Sequence, residues 1–269
     1  MKKMKQISRL ILGLLIIVIF FQSCEKSESR LLTGVDSKQL EFVGIEHNRM
    51  LNDVYEFIKN KNISKKTGKM KLESFLIYKI NSNTEYSKQS NNIGIDYTKD
   101  IFSKKINLNT LLKLTSNKSS NKSSNRLFDG YIDRLDQILT NITDFNDKSV
   151  LDAITEIEEE IEQNKNLTEE EMITLLSATQ VSRYSYNYWS ENWNKWLVLA
   201  GEDMSNFNGN SAGRYAIVKA DVAGAIGGAA GAWAVNVIPG AGQVAYGGAI
   251  IGAGVASSVG AAVYALFGW

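Results

Sequence analysis

The chain of 269 residues contains one cysteine, one histidine and one proline. Each scarcity excludes something. Cys24 has no partner for an internal disulfide, so the fold must rest on an ordinary core. A single histidine, with no second cysteine, cannot build the usual zinc sites. Gly209-Asn210-Ser211-Ala212-Gly213 matches the spacing of a nucleophile elbow, which needs a preceding strand and a downstream histidine. The residues before it are polar, and His47 lies upstream. Gly240-Ala241-Gly242-Gln243-Val244-Ala245 has the outline of a dinucleotide fingerprint but lacks the acid some 20 positions on. No Walker A sequence occurs. Charge is scarce in net terms too: 30 Lys and Arg against 29 Asp and Glu. Lys2, Lys3, Lys5 and Arg9 account for the excess, and nothing in that balance points to nucleic acid.

The most telling absence is charge at the C-terminal end. Residues 222 to 269 carry none, and 26 of these 48 residues are Gly or Ala. Pro239 breaks the run, with Gly240 and Gly242 beside it, and predicts a turn between two helices. At 3.6 residues per turn, Val222, Ile226, Trp233 and Val237 share one face of the first arm. Gly224, Gly228 and Gly231 share the opposite one. In the second arm Val244, Ile251, Val255, Val259 and Leu266 form a bulky stripe, and Ala249, Ala253 and Ala256 form a small one. Small stripes let helix backbones approach closely. The expected packing therefore sets Gly224, Gly228 and Gly231 against Ala249, Ala253 and Ala256. Each Gly costs an isolated helix ~1 kcal/mol relative to Ala, so protein or lipid must hold the segment helical. Both media are open at this level. Residues 214 to 269 resemble the glycine-zipper hairpins of membrane-active proteins, including the Gly/Ala-rich peptides of two-peptide bacteriocins. That resemblance implies a hairpin that inserts into a bilayer or rests on one.

The other apolar run lies at the N-terminus. Residues 1 to 9 are positive, residues 10 to 21 are apolar, and Gln22-Ser23-Cys24 follows. This order predicts a secretory signal, too short for a comfortable span. With a cysteine at the cleavage point, residues 1 to 24 resemble a bacterial lipoprotein signal peptide. Ser23 fits the common box before the cysteine, while Phe21 and Gln22 depart from it. The resemblance implies removal of residues 1 to 23, lipid on Cys24 and an exported, membrane-anchored protein, with residues 24 to 37 as a polar tether.

From residue 38 the apolar spacing turns helical. Leu40, Val43, His47, Met50, Leu51, Val54, Phe57 and Ile58 predict a helix over residues 38 to 60. His47 on that apolar face reads as a hydrogen-bonded packing residue. Residues 61 to 70 are Lys-rich, 71 to 80 predict a short helix, 82 to 100 a loop, and 101 to 114 another short helix. Residues 115 to 126 form a polar low-complexity insert, expected to be a flexible surface loop. Amphipathic helices follow at 127 to 140 and 148 to 163, the second with Glu156, Glu158, Glu159, Glu160 and Glu162 as a solvated face. Thr168 and Glu171 form a capping box that starts a helix running to about residue 200. Trp189, Trp193 and Trp196 lie on it in an aromatic patch, either as a core contact covering the hairpin or as an interfacial belt. Residues 201 to 213 read as a polar loop.

The expected fold is all-α: a helical domain over 38 to 200 with a long aromatic-rich helix, then a small-residue hairpin over 214 to 269. Residues 38 to 60, with Gly44-Ile45-Glu46-His47-Asn48, and the tail are similar to an uncharacterised lipoprotein family of Gram-negative bacteria. That implies a location in the envelope, at the outer membrane. The expected function is non-enzymatic binding or membrane contact, with no cofactor, metal or nucleic acid. The membrane is reached through the N-terminal lipid and through the hairpin. The alternative is a bacteriocin- or toxin-like effector whose hairpin inserts into a target bilayer.

Overall fold

In the computed structural model the described residues are 36–61, 63, 65–83, 88–103, 126–141, 147–201, 211–234 and 244–267. Cys24 and the leader, residues 115 to 125, and the turn at Pro239, Gly240 and Gly242 lie outside them. The first helical turn forms at Ser37–Leu40, where the Asp36 carboxylate accepts the Gln39 N–H at 2.9 Å. Eight α-helices follow: α1 (Glu41–Lys61), α2 (Lys65–Ser82), α3 (Lys88–Phe102), α4 (Arg126–Thr140), α5 (Lys148–Gln163), α6 (Glu169–Ala200), α7 (Ser211–Ala234) and α8 (Val244–Phe267). The fold is all-α, with no strand among the described residues.

Residues 35 to 269 form one compact unit, with the hairpin helices inside it. α7 and α8 pack along one another. α3 lies along α8, α6 along α7, and α1 reaches both α6 and α8. α2 closes over α3 and α8, while α4 and α5 flank α6. The outer helices turn single apolar stripes inward: Leu51, Val54 and Ile58 from α1, Leu72, Leu76 and Ile80 from α2, Ile154, Ile157 and Ile161 from α5. Burying each such side chain contributes about 1.5–3 kcal/mol.

α6 starts as its sequence dictates. Thr168 Oγ1 accepts the Glu171 N–H at 3.2 Å, and the Glu171 carboxylate accepts the Thr168 N–H at 2.9 Å. It ends at Gly201, whose φ of 75° is the left-handed geometry that glycine allows at a helix C-terminus. Every residue from Ile173 to Ser182 is buried. Three polar members of that run are paired: Thr179 donates to the Leu176 carbonyl, Ser182 to that of Ala178, and Gln180 to Glu158 at 3.0 Å.

Four expectations are corrected. Residues 88 to 102 are helix, not loop, and the short helix expected over 101 to 114 lies, beyond Ser103, outside the described residues. Arg126 opens α4, so it does not belong to the low-complexity insert. Residues 211 to 213 are the first turn of α7. Glu158 is not on a solvated face. It is buried, with Arg183 and Gln180 as partners. Burial pushes its carboxyl up, against the pull of the Arg183 guanidinium. Among the described residues, no helix is long and apolar enough to cross a membrane.

Candidate functional site

The small stripes position the hairpin. A Cβ on Gly228 would fall on the Ala249 carbonyl, 2.8 Å from its carbon and 2.9 Å from Ile250 Cα. A Cβ on Gly224 would fall on the Ala253 carbonyl, 2.8 Å from its carbon, and 2.5 Å from Ser257 Oγ. These two glycines thus set α7 against Ala249 and Ala253 of α8, and Ala256 is buried one turn on. Gly231 lies on α7, with its surroundings outside the described residues. Other glycines face α3 instead. A Cβ on Gly227 would lie 2.7 Å from the Tyr97 hydroxyl, and one on Gly94 would lie 2.8 Å from the Gly248 carbonyl oxygen. α8 therefore has two backbone-close neighbours, α7 and α3.

Trp189, Trp193 and Trp196 sit in the core, on the α6 face that meets α7 and α1. The Trp189 ring lies 5.4 Å from that of Trp196 and 6.2 Å from that of Trp193. Trp196 donates to the Tyr188 hydroxyl at 3.1 Å, and Tyr55 of α1 packs edge-on to it at 5.6 Å.

Beside Trp189 is a polar cluster drawn from four helices. Asp221 of α7 and His47 of α1 are both wholly buried, with Nε2 and Oδ2 3.6 Å apart. Ser185 Oγ and Trp189 Nε1 of α6 donate to the same Oδ2, the latter at 3.3 Å. Ser258 of α8 also favours the charged form of this carboxyl. Glycines make the room: a Cβ on Gly254 would stand 3.3 Å from the imidazole, and one on Gly44 would strike the Tyr184 ring. The Gly44-to-Asn48 segment is thus a docking edge for α1. Gly44 admits Tyr184, His47 reaches Asp221, and Asn48 donates to the Tyr184 carbonyl at 2.8 Å.

That last bond fixes the proton count of the cluster. Asn48 uses Nδ2 on Tyr184, so its Oδ1 faces His47 Nδ1 at 3.1 Å and must accept from it. The second ring nitrogen of a neutral His47 is then a bare lone pair aimed at a carboxylate oxygen. Two acceptors repel, so the pair holds one proton between them. Burial disfavours charge on both groups, pushing Asp221 up to about 8 and His47 down to about 4. The neutral form, a carboxylic acid against a neutral imidazole, is the one the surroundings support.

The cluster contains the residue types of a hydrolytic triad in the wrong order. In a triad the histidine stands between serine and acid and takes the serine proton. Here the acid stands between Ser185 and His47, and both members of the pair are sealed from solvent. The sequence offered one clue to Asp221: it is the last charge before the uncharged run, among Ala220, Val222 and Ala223.

An open cleft of about 350 Å³ lies between α1, α2, α3 and α8, with Met50, Ile80, Asn91 and Ile251 in its walls. Its rim charges are paired, Arg49 with Glu46 at 2.7 Å and Lys79 with Asp53 at 2.8 Å. Asn91 donates to the Asn83 carbonyl at 2.8 Å, and its Oδ1 has no protein partner. Among the described residues no group of three or more His, Cys, Asp or Glu side chains could hold a metal.

Comparison with family models, curated proteins and solved structures finds no match to this chain.

Proposed function

We propose that this chain is a non-enzymatic cell-envelope protein, exported and fixed to a Gram-negative outer membrane by lipid on Cys24, which works by binding or membrane contact. The burial of the hairpin carries this reading. Where its side chains are described, from Ile217 to Ala229 and from Gly248 to Ala262, the hairpin is largely buried and neighboured by α1, α3 and α6, so it serves as a core and leaves the outer helices as the working surface. The polar cluster supports it too, since His47 and Asp221 are wholly buried and link α1 to α7. Mass spectrometry of the mature N-terminus should find residue 24 first and acylated, and Cys24→Ala should move the chain to the soluble fraction. A Cys24→Ala chain that fractionates with membranes as the parent does would defeat the reading.

One observation favours the second reading, that of a bilayer-inserting effector. The run from Val222 to Trp269 carries no charge, and Asp221 just before it pairs with His47 of α1. The intact chain is expected to leave dye-filled liposomes sealed. Dose-dependent leakage would put the effector reading first.

A further inference from the structure

Where the end of α1 meets α2, the described residues turn an uncommon face to solvent. Residues 59 to 72 include Lys59, Lys61, Lys65, Lys66, Lys69 and Lys71 and no acid, in a chain of net charge +1. α2 is apolar on two sides. Leu72, Leu76 and Ile80 enter the core, while Met70 and Tyr78 on another side are each 67% exposed. Between these two, Phe75 stacks on Phe57 of α1, with centroids 4.2 Å apart and planes 11° from parallel. These four side chains, with Lys71 and Ser74, line an open groove of about 410 Å³. The solvent side of a surface helix is ordinarily polar, and exposed apolar patches rimmed by charge mark interaction sites.

We propose that this corner is a docking face for an anionic lipid bilayer. The proposal builds on the membrane-contact reading and names the surface and lipid charge that reading leaves open. Charge complementarity selects the occupant: a block of lysines without acids is attracted to anionic headgroups. Met70, Tyr78 and the edge of Phe75 then enter the boundary between headgroups and acyl chains, where such residues are favoured. Two lysines are placed for this. Lys79 Nζ lies 5.6 Å from the Phe75 centroid, and Lys59 Nζ lies 5.8 Å from that of Tyr55. The ammonium groups thus lie over ring faces at the edge of the groove, as cation–π contacts. Neighbouring acids offset the block only in part: Asp53 pairs with Lys79 and Glu56 with Lys59 at 3.5 Å, which leaves Lys61, Lys65, Lys66, Lys69 and Lys71 against Glu73 by sequence count. Single-stranded nucleic acid fits less well, because Phe57 and Phe75 spend their faces on each other and offer no open platform for a base.

The test uses the full chain. Cys24→Ser combined with Met70→Cys gives one labelling site, for an environment-sensitive fluorophore. Cys24→Ser with Glu159→Cys, on exposed α5 surface, gives the control. Vesicles of phosphatidylcholine alone are compared with vesicles containing phosphatidylglycerol. The label at 70 should shift to the blue only with phosphatidylglycerol, and the control label should not move. Lys59→Glu with Lys71→Glu should weaken the apparent affinity at least tenfold, as should raising the salt to 0.5 M. The N-terminal segment is itself positive and present in every arm, so the label at 70 moving while the control does not, and its loss in Lys59→Glu with Lys71→Glu, are what assign the shift to this corner. No shift with either vesicle overturns the proposal, as does an equal shift with both. A shift that grows with protein concentration alone assigns the face to a second copy. A label already shielded in the free protein assigns it to another segment of this chain, and a shift with an oligonucleotide assigns it to nucleic acid; each of these overturns the proposal. Cys24 is replaced throughout, so failed lipidation and failed docking are separate results.

Discussion

Gly228→Ala should cost the protein about 3 kcal/mol or more, although alanine is the better helix former. The added Cβ would meet the Ala249 carbonyl and come within 2.9 Å of Ile250 Cα. Those are backbone atoms of a neighbouring helix and cannot rotate away. Overpacking typically costs ~1–3 kcal/mol and more where backbone must shift, and the gain of ~1 kcal/mol in helix propensity does not offset it. For a domain of this size the melting temperature should fall by roughly 6–12 °C. Two controls separate packing from propensity. Gly130 also lies inside a helix, with nothing within 4 Å of an added Cβ. Gly130→Ala should therefore raise stability by about 0.5–1 kcal/mol. Ile226→Leu conserves volume where Ile132, Leu135 and Leu139 leave a small gap, and should be nearly silent. Calorimetry or urea unfolding reads all three. If Gly228→Ala matched Gly130→Ala, the backbone contact between the hairpin arms would be wrong.

Stability should hold steady between about pH 4 and 6.5 and fall by about 2 kcal/mol between pH 6.5 and 8, as far as His47 and Asp221 decide it. Asp221 is raised from 3.8 to about 8 in the fold, so the native state keeps a proton that the unfolded chain has lost. Its contribution is complete below pH 3.8 and disappears as pH rises through 8. His47 is lowered from 6.5 to about 4, so its contribution is complete above 6.5 and disappears as pH falls to 4. Between 4 and 6.5 the native pair and the unfolded pair each hold one proton, and the slopes cancel. This holds wherever the native proton sits. Above 6.5 only the native pair retains it, over a window of about 1.5 pH units at ~1.4 kcal/mol each. Asp221→Asn should abolish that decline, because the amide keeps the shape and does not titrate. The difference in urea midpoint between parent and variant from pH 6 to 8.5 isolates the pair from other groups. A parallel pH dependence in the two proteins would show that Asp221 does not hold the proton.

Legibility in the sequence followed the kind of interface each element makes. α4 and α5 bury Leu135, Leu139, Ile154 and Ile157 against large neighbours, so apolar spacing announced them. The capping box at Thr168 announced α6. α3 was hidden because its buried face is Ser90, Asn91, Gly94 and Thr98, residues chosen for small volume and poor in apolar signal. Gly94 earns its place by meeting the α8 backbone, which no hydropathy pattern records. The hairpin stripes were readable as small faces, but not that Gly227 and Gly248 would serve α3. Glu158 looked like one more acid in a charged run, since its partner Arg183 is 25 residues away in sequence. The aromatic patch was readable as a patch, and its two settings separate only once Tyr55 and Asp221 are seen around it. The pairing of His47 with Asp221 spans 174 positions, and neither residue carries a local motif that points to the other.

The placement of α8 dictates an order of assembly. It touches α1, α2, α3, α6 and α7, yet its residues leave the ribosome after all of them. Until residues 244 to 267 arrive, α3 lacks its main neighbour, and α2 has only α1 and α3 to close on. Contacts this distant in sequence make folding slow and leave apolar surface exposed meanwhile. A chain stopped at residue 243 should accordingly be collapsed but cut by protease across α1 to α3, and a protected fragment there would mean that these helices assemble without α8. Under the export proposed above, such lateness would be useful: the sequence cannot lock into its final form while it is still being made.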